Sequence, residues 1–180
     1  MPIGLGGCAP RACDVLARRE LGRRASSIFS APDRRLLGFV DYHEALAESR
    51  KLCGKGISKQ SYFLFSKIRE IDELITPELQ RRVIEVHPEL CFTMLAGRPA
   101  EHRKSTHEGF AERRRLLPIE WTETKLAAKP DDILDALAVA WVAREFALGQ
   151  ARLIPAEPEF DARGLRMEIV TCTHAKLMGP

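Results

Sequence analysis

Apolar residues recur along most of this chain at intervals of three and four, the spacing of a helix with one buried face. The clearest case is Leu134, Leu137, Ala138 and Trp141, which predict a helix opening near Pro130, a residue suited to a first turn, and ending near Gly149. Cys13, Val15, Leu16 and Leu21 mark a shorter helix that stops near Gly22. Over 42–52, Tyr42, Ala45, Leu46 and Leu52 face inward while Glu44, Glu48, Arg50 and Lys51 face water. Gly54-Lys55-Gly56 breaks that helix. Ser58 is placed to cap the next, which carries Tyr62, Phe65, Ile68 and Ile71 and runs to Thr76-Pro77. Pro88 opens another through Leu90, Phe92, Met94 and Leu95, and 109–117 reads as a helix exposing Arg113, Arg114 and Arg115. Residues 26–37 and 97–108 read as loops.

Extended structure is scarcer. Arg82-Val83-Ile84-Glu85-Val86-His87 is β-branched and alternating, which predicts a strand with Ile84 and Val86 on one face and Val83, Glu85 and His87 on the other. His87 then stands at the strand's C-terminal end, where open α/β sheets place their sites; the same pattern also suits an edge strand with a solvated polar face. Arg166–Val170 predicts a last strand, and the prolines at 155 and 158 punctuate a loop before it.

Composition narrows the class without naming a function. A chain of 180 residues with 45% hydrophobic content buries one substantial core, so a single domain over 1–170 with a disordered tail at 171–180 is expected. The net charge of +3 is too small to indicate nucleic-acid binding by itself. Five cysteines, Cys8, Cys13, Cys53, Cys91 and Cys172, show no CxxC pair or zinc-finger spacing and read as reduced thiols of a cytoplasmic protein with no disulfide partner. No apolar run reaches the roughly 18 residues of a membrane span, and residues 1–7 lack the pattern of a signal peptide.

Candidate chemistry concentrates in three places. Asp131, Asp132 and Asp135 crowd the opening of the apolar helix, with Asp132 and Asp135 on one face. Carboxylates that close repel unless a cation stands before them, the arrangement used by hard divalent metals; equally, Asp131 suits a cap and its neighbours the helix dipole. Lys55, Lys59, Lys67 and Arg69, beside two glycines that let the main chain approach, are candidate contacts to a phosphate backbone, or solvated charges around a turn. Glu85 and His87 share a strand face.

Seven fragments then occur in a recognisable order: Pro2-Ile3-Gly4-Leu5, Arg11-Ala12-Cys13-Asp14, Ser26-Ser27-Ile28-Phe29, Gly54-Lys55-Gly56-Ile57-Ser58-Lys59-Gln60, Lys67-Ile68-Arg69-Glu70-Ile71-Asp72, Glu85-Val86-His87-Pro88-Glu89 and Asp131-Asp132-Ile133-Leu134-Asp135-Ala136-Leu137. Together they resemble the predicted RNase H-like nuclease family catalogued as domain of unknown function 429, over nearly the whole chain. Asp132 to Ala138 is also similar to the final acidic helix of RuvC-type resolvases.

The resemblance implies an α/β fold of RNase H-like type, with a mixed sheet and a helical insertion between about Arg11 and Thr76. It implies metal-dependent hydrolysis of nucleic-acid phosphodiesters, with Glu85, Asp132 and Asp135 as catalytic ligands of Mg²⁺ or Mn²⁺. His87 is an auxiliary candidate that orients nucleophile or phosphate, and Lys55, Lys59, Lys67 and Arg69 are substrate contacts. The family's pattern also includes an opening β-hairpin and an aspartate shortly before Pro-Ile-Gly-Leu. Neither precedes Pro2, so the expectation is a chain lacking the opening strands, with weakened metal affinity. The alternative is a non-catalytic module of the same fold that binds nucleic acid or protein.

Overall fold

The computed structural model describes residues 1–119 and 128–173. Its helices are α1 (Ala12–Leu21), α2 (Tyr42–Cys53), α3 (Lys59–Tyr62), α4 (Phe65–Leu74), α5 (Pro88–Ala96), α6 (His107–Arg114) and α7 (Pro130–Ala147), with 3-10 turns at Gly22–Ser27, Arg34–Gly38 and Leu79–Arg81. Two strands follow, β1 (Arg152–Phe160) and β2 (Arg166–Thr171).

Local chemistry sets most boundaries. The Asp41 carboxylate accepts the amides of His43 and Glu44 to start α2, and Gly54 ends it in the left-handed region. Ser58 and Thr106 cap α3 and α6 in the same way. Pro88 and Pro130 open α5 and α7 at a position that has no use for an N–H. Asp131 does not cap α7: Lys129 holds that position, and its side chain makes no capping hydrogen bond. The single helix expected over 58–76 is broken at Phe63-Leu64 into α3 and α4.

β1 and β2 pair antiparallel, Arg152 opposite Thr171 and Phe160 opposite Arg166, with the register shifting between Ile154 and Glu159. The expected loop at Pro155 and Pro158 is therefore a strand. Proline donates nothing to a ladder, and both fall in the irregular stretch where nothing is asked of them. The expected strand 82–87 is reduced to one parallel bridge between Val86 and Val170. The amides of Arg82 and Val83 are bonded to the Leu79 carbonyl at 2.9 and 2.8 Å, so the preceding helical turn consumes half of the stretch before it can extend. The result is a mixed α/β protein, rich in helix, with a small sheet.

The main core joins α1, α5, α7 and the hairpin through Leu21, Leu90, Phe92, Leu134, Ala138, Val142, Ile169 and Val170. A second apolar cluster, Leu5, Leu36, Leu37, Ala45, Phe65 and Ile68, lies under the helical layer of α2 and α4. α1, which falls within the stretch 11–76 expected as a helical insertion, packs on both strands and on α5 and so belongs to the main core. Arg113, expected at the surface, is 2% exposed: its guanidinium meets Glu89 at 3.0 and 2.5 Å and bonds the His102 and Gly109 carbonyls. Thr171 and Cys172 are buried, and the remainder of the expected tail, 174–180, lies outside the described residues. No helix among the described residues is long and apolar enough to cross a membrane.

Candidate metal and nucleic-acid site

Glu85, next to the bridge residue Val86, faces Arg11. The Arg11 guanidinium donates to Glu85 Oε1 and Oε2, each at 2.8 Å, to both oxygens of Asp14 at 2.6 and 3.1 Å, and to the carbonyls of Ile3 and Gly4. Glu85 Oε2 also accepts the Ile3 amide at 2.8 Å. Arg11, Asp14 and Glu85 are all buried. Burial disfavours the Arg11 charge, but the attraction and hydrogen bonds of Glu85 and Asp14 outweigh it, and the guanidinium is pushed up from its ordinary value. The neighbouring Cys13 thiol is pushed up to about 12, chiefly by burial.

The backbone between these groups is equally constrained. Gly4 has φ +74°, and a Cβ there would stand 2.8 Å from the Arg166 carbonyl oxygen. On its other side the Leu5 amide donates to Asp161 at 3.0 Å. Pro2-Ile3-Gly4-Leu5, Arg11-Ala12-Cys13-Asp14 and Glu85 thus form one connected scaffold. Glu85 accepts three hydrogen bonds, two on Oε2 and one on Oε1, so the Arg11 cation stands where a metal would have to compete for the carboxylate.

The acids of α7 are arranged differently. Asp135 accepts from the Lys104 ammonium at 2.8 Å, and Asp131 lies 3.7 Å from the same nitrogen. It is the i, i+4 pair Asp131 and Asp135, rather than Asp132 and Asp135, that converges on a cation; Asp132 is exposed. Partial burial works against the Lys104 charge, and the bond to Asp135 with the field of Asp131 and Asp132 raises it. These oxygens are hard, about a quarter exposed and already gathered about a positive charge, so the α7 acids fit Mg²⁺ or Mn²⁺.

His87 connects the two regions. Its Nε2–H donates to the Ser27 carbonyl at 3.1 Å, and Nδ1 is buried without a partner among the described residues. Burial lowers its pKa from 6.5, opposed by the Ser27 bond and by the charges of Glu89, Glu85 and Asp135. A cavity of about 290 Å³ beside it is lined by Pro2, Asp14, Ser27, Leu64, Glu85 and Ile169.

The four basic candidates do not make a free stripe. Lys55 donates to the Cys8 carbonyl at 2.6 Å, Arg69 to the Leu37 carbonyl at 3.2 Å, and Lys59 lies 5.6 Å from the centre of the Tyr42 ring. Lys67 is exposed on α4.

Two features were not legible beforehand. Lys104 lies in the stretch 97–108 that reads as a loop, and its partner Asp135 is 31 residues away, so no local spacing marks it. Cys8 and Cys53 are joined as a disulfide, correcting the expectation of five free thiols; their separation of 45 residues carried no pairing signal. Among the described residues, Cys8, Asp33 and Cys53 are the one group whose three metal-ligand atoms lie within 4.8 Å of one another. Glu85, Asp132 and Asp135 are not brought that close.

A helix-rich α/β protein with a carboxylate–guanidinium lock under its sheet and an acidic helix opening is the class that these features define. Residues 1–160 match the family described as "Protein of unknown function (DUF429)", and the chain belongs to it. No curated protein and no solved structure matches the chain.

Proposed function

We propose that this chain is a metal-dependent nuclease of RNase H-like type, hydrolysing phosphodiester bonds in nucleic acid with Mg²⁺ or Mn²⁺ held at the opening of α7. The supporting observation is the Lys104 ammonium, poised between Asp131 and Asp135 where three acids concentrate their field. A bound divalent ion would supply an activated water and stabilise the leaving oxygen. Asp131 and Asp135 would hold it, with Asp132 adding to the field, and Lys104 competes for the same oxygens. The neutral His87 imidazole is available to accept a hydrogen bond through Nδ1.

A second reading, a nucleic-acid-binding or protein-binding module without catalysis, is favoured by one observation: Glu85 is already paired with the Arg11 cation and the Ile3 amide.

The test is a titration of Mn²⁺ by calorimetry with cleavage of labelled DNA and RNA, in wild type, Lys104→Ala and Asp135→Asn. The nuclease reading expects tighter Mn²⁺ binding in Lys104→Ala and loss of cleavage in Asp135→Asn. Unchanged turnover in Asp135→Asn removes the α7 acids from the mechanism. Metal-independent affinity for nucleic acid that falls steeply with salt, with no cleavage, selects the binding module.

A further inference from the structure

Cys8, Asp33 and Cys53 come from three elements: the glycine-rich segment before α1, the N-cap of the 3-10 turn at Arg34–Gly38, and the last turn of α2. They line the wall of a cavity of about 490 Å³ together with Ser49, Lys55 and Ser58. In the disulfide neither sulfur carries a proton, so the approach of Cys8 Sγ to Asp33 Oδ2 at 3.8 Å and to the Leu52 carbonyl at 3.4 Å is packing rather than donation.

The Asp33 carboxylate is buried and held in place. Arg35 donates its amide and Nε to Oδ1 at 3.0 and 2.9 Å and one terminal nitrogen to Oδ2 at 2.7 Å. Oδ2 therefore keeps a lone pair on the side of the sulfurs. With the sulfurs joined in an uncharged disulfide, the Asp33 carboxylate serves only to cap its turn and pair with Arg35. Beside two thiolates it becomes a repulsive third anion, unless a cation joins them.

We propose that Cys8, Cys53 and Asp33 form a redox-gated site for a thiolate-preferring divalent ion of the zinc class. Oxidised, the sulfurs bond each other and the site is closed. Reduction by a dithiol delivers two electrons and two protons to the sulfurs and leaves the reductant as its own disulfide. The ion then displaces both thiol protons and takes two sulfurs and one carboxylate oxygen, and its fourth position opens to the cavity. That complex carries one net negative charge, which the Arg35 guanidinium and the Lys55 ammonium offset. Ion and disulfide are alternative staples of the same loop. The site is distinct from the α7 acids in place and in ligand softness, and it stands whether or not the nuclease reading holds.

The experiment reduces the whole chain with a phosphine, desalts it without oxygen, and titrates Co²⁺ while following thiolate-to-cobalt charge transfer. Expected are one Co²⁺ per reduced chain, displaced by Zn²⁺, and no such band in the oxidised protein. Cys53→Ser, which keeps Cys91 and Cys172, loses at least the roughly 100-fold affinity at the upper end of what even an outer partner contributes, and Asp33→Asn loses on the order of tenfold. Zn²⁺ also shields Cys8 and Cys53 from alkylation in wild type, read by peptide mass spectrometry, which needs no variant to fold. A reduced protein without the band, or an undiminished band in Cys53→Ser, overturns the proposal. So does equal alkylation of Cys8 and Cys53 with and without Zn²⁺.

Discussion

Arg11 and Glu85, 74 residues apart, meet through two hydrogen bonds of 2.8 Å, both side chains buried. Neither charge is affordable there alone. Removing the guanidinium leaves Glu85 and Asp14 buried and uncompensated, so Arg11→Met is expected to cost about 3–5 kcal/mol in urea unfolding. In Arg11→Met/Glu85→Leu part of that loss returns, Asp14 still lacking its guanidinium; a double variant as unstable as the sum of the singles would show that the two do not act as a pair. The same pairing bears on activity: loss of cleavage in Glu85→Gln counts for catalysis only when compared at equal folded fraction.

Gly4 is the tightest backbone position beside that pair. Gly4→Ala combines a positive φ with a Cβ 2.8 Å from a carbonyl oxygen, and is expected to destabilise by about 1–3 kcal/mol. Gly38→Ala, where a Cβ meets nothing within 4 Å, is the matched control and should change stability by a small fraction of that.

Reduction of Cys8–Cys53 releases a crosslink spanning 45 residues, and the expected loss is about 2–4 kcal/mol. Urea midpoints with and without reductant measure it. Cys8→Ser/Cys53→Ser should match the reduced wild type and should be insensitive to reductant.

The pH dependence carries the sign of His87. Its folded pKa lies below 6.5, so between that value and the folded one the unfolded chain binds the extra proton. Stability contributed by the neutral ring is present above pH 6.5 and is lost as pH falls toward the folded value. The lowered carboxyls enter later. Asp33, bonded by Arg35, and Asp161, whose burial is outweighed by Arg34 and three backbone amides, both titrate below 3.8 and lose their contribution as pH falls through those lowered values. Urea unfolding between pH 7 and 5 should therefore show a decline that His87→Gln reduces; an equal decline in both would assign it elsewhere.

What the sequence made legible was the part governed by local rules. The periodic runs of α2, α5 and α7, their prolines and glycines, and β2 all report on neighbours a few residues away. β1 was hidden by Pro155 and Pro158, because tolerance for proline depends on a bulge that the partner strand creates. Strand 82–87 shrank to a bridge because a helical turn at Leu79 competed for its amides. The candidate site divided in the same way. The crowding of Asp131, Asp132 and Asp135 was visible, whereas Lys104 and Arg11 acquire their meaning from partners 31 and 74 residues away. Arg113 was misplaced because a run of three arginines looks solvated until one of them finds Glu89.

The threading of residues 3–5 has a consequence for the order in which the chain assembles. Ile3 is held by Glu85, Gly4 lies against Arg166 and Leu5 is held by Asp161. During synthesis two of their three anchors emerge from the ribosome more than 150 residues after them. Residues 3–5 therefore gain those two anchors only when the β1–β2 hairpin arrives, after the helices between them have been made.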